Sequence, residues 1–144
     1  MDEHLKRSIM IEHYQNPLNK GLVDDNKYKT VNMNSKTCID NLTFQYEIEN
    51  NIVKDAHFDG EACAISTSSA SILTEMVKGK TIEEVKEIIR NFENMIYEKD
   101  YDKNVLKDAN VYDEIYKQPN RIKCALLPYD GIKILIEKGE FGEK

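Results

Sequence analysis

Apolar and polar positions change rhythm several times along the chain. Leu5, Ile9 and Met10 recur at helical spacing and predict a helix over 3–14. Asn16-Pro17 ends it, because the residue before a proline avoids the helical region. Residues 15–30 are polar and turn-like. Strict alternation over 42–48 puts Leu42, Phe44, Tyr46 and Ile48 on one side and predicts a half-buried strand. Asn50-Asn51 is a turn signal, and a second strand follows over 52–58 with Ile52, Ala56 and Phe58 on one face. A strand around 29–34, carrying Val31 and Met33, completes a small antiparallel sheet.

From Ala64 the rhythm is helical as far as Gly79, an expected C-cap. Thr81 to Glu84 reads as a capping box opening a helix whose buried face is Val85, Ile88, Ile89, Phe92 and Ile96. Residues 98–118 are charged and Tyr-rich and hold a loop and a short helix. Residues 120–127 and 129–138 read as two helices, with Pro128 in the first turn of the second. The chain shows no repeat, low-complexity tract or linker, so 1–144 parses as a single domain of mixed α/β (α+β) class.

Composition narrows the function. The chain has 144 residues, and Leu, Ile, Val and Phe total 36, enough for a real core. Its formal net charge of -6 argues against nucleic acid as the main partner. No apolar run is long enough to cross a bilayer and the charged N-terminus has no signal core, so a cytoplasmic protein with no membrane partner is expected. Three cysteines cannot all pair within one chain. In a reducing compartment they are free, metal-bound or reactive, unless they are simply small buried hydrophobes.

Their neighbours favour a shared metal or reactive site. Cys38 and Asp40 are two apart in an extended segment, so both side chains can aim at one point, as half of a zinc site would. Cys63 falls where a strand gives way to a helix, and a helix start favours thiolate. The hydroxyls that follow, from Ser66 to Ser71, are mostly expected to cap the helix or face water. Cys124 has Arg121 and Lys123 beside it, and Arg121 shares its helix face. Three thiolates and one carboxylate match the four ligands zinc prefers, although the spacing fits no zinc finger or ribbon. His4, His13 and His57 are not assigned to a metal. His13 reads as a packing and hydrogen-bonding residue and His57 as solvent-facing.

Four segments in order resemble the IscU/NifU-type iron–sulfur assembly proteins, most closely their SufU branch. His13-Tyr14-Gln15-Asn16-Pro17-Leu18-Asn19-Lys20-Gly21 is similar to the family's N-terminal segment. Cys38-Ile39-Asp40 resembles its Cys-Gly-Asp motif, Phe58 to Ser66 its second-cysteine segment, and Arg121-Ile122-Lys123-Cys124 its third-cysteine segment. The long gap between Cys63 and Cys124, Lys117-Gln118-Pro119-Asn120 in place of Leu-Pro-Pro-Val-Lys, and Lys123 in place of a histidine all favour the SufU branch. Ile39 and Ala62 stand where the family has glycine, and Pro128 is not part of its pattern.

The resemblance implies a three-stranded antiparallel sheet covered by helices, a SufE/NifU-like sandwich. It implies that Cys38, Asp40, Cys63 and Cys124 converge on a metal, zinc in SufU proteins, with iron or a [2Fe–2S] cluster as the alternative. It further implies a zinc-dependent sulfurtransferase in which Cys38 accepts persulfide sulfur from a SufS-type cysteine desulfurase and passes it to downstream iron–sulfur assembly proteins. The alternative is a scaffold on which a [2Fe–2S] cluster is built and handed on. Arg121 is the expected cation beside the ligands or at the docking face.

Overall fold

The computed structural model describes residues 1–35 and 39–138. Helix α1 (Glu3–Gln15) opens on Asp2, whose carboxylate accepts the Leu5 N–H at 2.8 Å. Three antiparallel strands follow, β1 (Tyr28–Asn34), β2 (Asn41–Glu49) and β3 (Ile52–Glu61), in the order β1-β2-β3. Then come α2 (Ala64–Val77) and α3 (Ile82–Ile96), the latter on the expected capping box of Thr81 and Glu84. The charged stretch beyond Ile96 forms the one-turn helix α4 (Lys103–Leu106) and two 3-10 segments, Lys107–Tyr112 and Ile115–Lys117. Helix α5 (Pro119–Glu137) closes the described chain. This is an α+β fold, as expected. No helix among the described residues is long and apolar enough to cross a membrane.

The alternating face of β2 supplies the centre of the core. Leu42, Phe44 and Tyr46 are fully buried, as are Ala56 and Phe58 opposite them on β3. Helix α2 covers β3, and α5 lies across β1 and β2. Gly131 lets α5 come close, since a Cβ there would sit 3.1 Å from Met33 Cγ. Helix α3 packs on α5 through the face predicted for it, with Phe92 stacked on Tyr129 at 3.8 Å between ring centres. Helix α1 packs on α2, and its buried Lys6 is paired with Asp113 at 2.6 Å. That hydrogen bond raises the Lys6 pKa above its usual value.

Three expectations change. First, Val53 rather than Ile52 enters the core, because the pairing slips between Glu47 and Ile48. Lys54 is the extra residue, and one inserted residue inverts the alternation of a strand. Second, 119–137 is one helix with Pro128 in its interior, and Pro119 takes the first-turn position. Third, His57 is half-buried rather than free in solvent. Its Nε2 lies 2.8 Å from Asp55 Oδ2, the oxygen that also accepts the Tyr28 hydroxyl at 2.6 Å. The hydrogen bond to Asp55 pushes the Tyr28 phenol up to about 12.

The end of β3 is shaped by one glycine. Gly60 has φ 131° and runs so close to β2 that a Cβ would lie 2.1 Å from the Asn41 carbonyl oxygen. This approach brings the chain that leads to Cys63 against the start of β2, next to Asp40. Ala62, in place of the family's glycine, does not adopt positive φ, so the turn does not depend on a glycine there. Gly60→Ala is therefore expected to lower stability by at least about 1–3 kcal/mol in urea unfolding, because backbone must move. Ala62→Gly is expected to change it by less than about 1 kcal/mol.

Candidate metal centre

Three side chains on three different elements meet at one end of the sheet. Asp40 immediately precedes β2, Cys63 is the N-cap of α2, and Cys124 lies in the second turn of α5. One donor atom from each lies within 4.8 Å of the other two, and Cys63 Sγ is 3.9 Å from Asp40 Oδ2. Ligands on bonds of ~2.0–2.3 Å around a tetrahedral ion stand about 3.5–3.8 Å apart. Two soft sulfurs and one carboxylate at this spacing fit a zinc ion or an iron–sulfur centre, leaving a further position to fill.

Local structure dictates the arrangement. Cys63 is in extended conformation, with φ -67° and ψ 169°, and its Sγ accepts the Ser66 N–H at 3.4 Å. The thiol thus occupies the place where a helix offers unpaired N–H groups. Asp40 is almost fully buried, with 2% exposure. Its Oδ1 accepts the Cys63 N–H at 2.8 Å, and its Oδ2 accepts the Ser66 hydroxyl at 2.6 Å. Cys124 is buried at 4% exposure beneath the first turns of α2.

Of the residues predicted for the site, Asp40, Cys63 and Cys124 are brought together. Cys38 lies outside the described residues. Ile39 projects into solvent with 69% exposure beside buried Asp40. Arg121 is exposed in the first turn of α5, and no ion pair involves it among the described residues. His13 behaves as expected, since its Nδ1 is 2.7 Å from Ser71 Oγ.

The hydroxyl run of α2 corrects the sequence reading. Ser66, Ser68, Ser69, Ser71 and Thr74 do not face water; each has exposure of 1% or less. Ser68 Oγ is 2.5 Å from the Tyr112 hydroxyl, and Ser69 donates to the Ala125 carbonyl at 2.8 Å. Ser71 accepts the Leu18 N–H at 2.8 Å. These short side chains let α1 and α5 approach α2 closely while keeping every hydroxyl paired. Ser66 is the site residue that sequence reasoning passed over. The available signal was its place three residues after Cys63, where a helix returns to the side of its N-cap.

Fold and site together define a class. The chain belongs to the NifU-like N terminal domain family, whose model matches residues 5–138. It is similar, at 38% identity over 96% of this chain and 93% of the relative, to the zinc-dependent sulfurtransferase SufU of Bacillus subtilis. The iron–sulfur cluster assembly scaffold protein IscU of Thermotoga maritima is 33% identical over 71% of this chain and 72% of its own. A crystal structure of a candidate SUF-system scaffold protein, FiSufU from Fervidobacterium islandicum AW-1, superposes with a TM-score of 0.76. It is 30% identical, over 92% of this chain and 98% of the other.

Asp40→Ala leaves the Cys63 N–H without its acceptor and the Ser66 hydroxyl with only the longer bond to the Cys124 carbonyl. In chelator-treated protein it is expected to cost about 1–3 kcal/mol in urea unfolding, mainly for the stranded N–H, with Asp40→Asn recovering part of the loss.

Proposed function

We propose that this chain is a zinc-dependent sulfurtransferase of iron–sulfur cluster assembly, accepting persulfide sulfur from a SufS-type cysteine desulfurase. The observation that carries the reading is the meeting of Asp40, Cys63 and Cys124 within 4.8 Å, on a chain 38% identical to a relative named as such a transferase. Asp40, Cys63 and Cys124 would hold the zinc, with Cys38 as the fourth ligand two positions before Asp40 in the chain. A bound zinc keeps its cysteine ligands deprotonated at neutral pH.

Cys38 is the proposed acceptor. Its thiolate attacks the terminal sulfur of the desulfurase's cysteine persulfide. A new S–S bond forms on Cys38, the old S–S bond breaks, and the desulfurase cysteine leaves as thiolate. One sulfur atom moves with no net oxidation, and the rate follows the thiolate character of the attacking group and the leaving group. Exposed Ile39 and Arg121, close in the chain to Asp40 and Cys124, are the residues offered to the docking partner.

The test combines zinc and iron quantification with persulfide mapping after incubation with a cysteine desulfurase and free cysteine. The expected result is about one zinc per chain, colourless protein, and one added sulfur on the Cys38 peptide. Cys38→Ser is expected to stay folded and to lose at least ~100-fold of the transfer rate, because an unactivated hydroxyl does not replace a thiolate. A brown, iron-containing protein with no persulfide on Cys38 would favour the cluster scaffold, the role named for the IscU relative, and overturn the proposal.

A further inference from the structure

We infer that Ser66 is the positioning residue of the metal centre, its one hydroxyl shared between Asp40 and the Cys124 carbonyl that Pro128 makes available. The inference rests on the metal-site reading above. Ser66 Oγ is fully buried and lies 2.6 Å from Asp40 Oδ2 and 3.1 Å from the Cys124 carbonyl oxygen, with Cys63 Sγ at 3.6 Å. One side chain therefore touches all three ligand residues.

The Cys124 contact has a cause in the sequence. In a regular helix the carbonyl of residue 124 accepts the N–H of residue 128. Residue 128 is proline, which has no N–H, and the helix continues through it. The carbonyl facing that missing donor meets the Ser66 hydroxyl instead. Next along, the Ala125 carbonyl accepts from Ser69, one turn further on α2. At the turn that bears Cys124, the carbonyls that the interior proline disturbs thus face the hydroxyls of α2.

A serine hydroxyl carries one proton. Its two acceptors compete for it, and the carboxylate, charged and nearer, takes the larger share. Donation to Oδ2, with the Cys63 N–H on Oδ1, fixes the plane and rotation of the Asp40 carboxylate. A carboxylate so held presents a defined lone pair to a metal rather than swinging between one- and two-oxygen binding. Partners of this kind typically change metal affinity 10–100-fold.

Ser66→Ala is expected to weaken zinc binding ~10–100-fold in competition with a chromophoric chelator, and to alter the visible absorption of the cobalt(II)-substituted protein. The metal-free variant should melt cooperatively. Ser66→Thr, which keeps the hydroxyl, should stay within about threefold of the parent, and Ser66→Val, of the same shape, should behave like alanine. That pair isolates the hydroxyl if alanine disturbs packing. Because Ser66 acts through Asp40, Ser66→Ala placed on Asp40→Asn should add less than about threefold further loss. Parental zinc affinity in both Ser66→Ala and Ser66→Val, or full additivity with Asp40→Asn, refutes the positioning role while leaving the metal site intact. A parent that binds no zinc refutes the metal-site reading itself, and the role of Ser66 with it.

Discussion

A buried carboxylate governs this end of the molecule. Asp40 is 2% exposed, and a charge so placed is costly unless both its oxygens are satisfied. The Cys63 N–H and the Ser66 hydroxyl meet that demand. To do so, the end of β3, the N-cap of α2 and the start of β2 must come together, which is why Gly60 runs against Asn41. Helix α5 is drawn into the same place through the Cys124 carbonyl. The pocket that gathers two thiols around a carboxylate is thus also the solution to a solvation problem.

The sheet was plain in the pattern of residues because its signals are local. Alternation in Leu42, Phe44, Tyr46 and Ile48, and asparagines at positive φ in the turn at 50–51, need no tertiary information. The slip that brings Val53 inward was hidden, since it arises from pairing with β2 and leaves no mark on β3 alone. Pro128 misled for a related reason. Proline is read as a boundary, yet a donor-rich neighbour helix takes over part of the hydrogen bonding a proline disturbs, and α2 is such a neighbour.

The site divides in the same way. Asp40, Cys63 and Cys124 were legible because thiols and a carboxylate at element boundaries announce their chemistry. Ser66 was not, because serine is common at helix starts and its usual work there is capping. Here the capping acceptor is Cys63 Sγ, which receives the Ser66 N–H, and the serine hydroxyl is released for Asp40 and Cys124. The whole hydroxyl face of α2 follows the same logic. Residues that look surface-bound by type form the contact layer between helices, because each finds a carbonyl, a phenol or an imidazole opposite.

The segment between α1 and β1 has a further consequence. β3 is one of the two outer strands of the sheet and ends beside the metal centre. Its outward backbone groups are claimed there by the chain's own N-terminal segment: the Phe58 N–H donates to the Asn19 carbonyl, and the Phe58 carbonyl accepts the Gly21 N–H. Exposed strand edges recruit other strands and seed aggregates. By spending Asn19 to Gly21 on a short self-pairing, the chain closes that flank to a strand from another molecule.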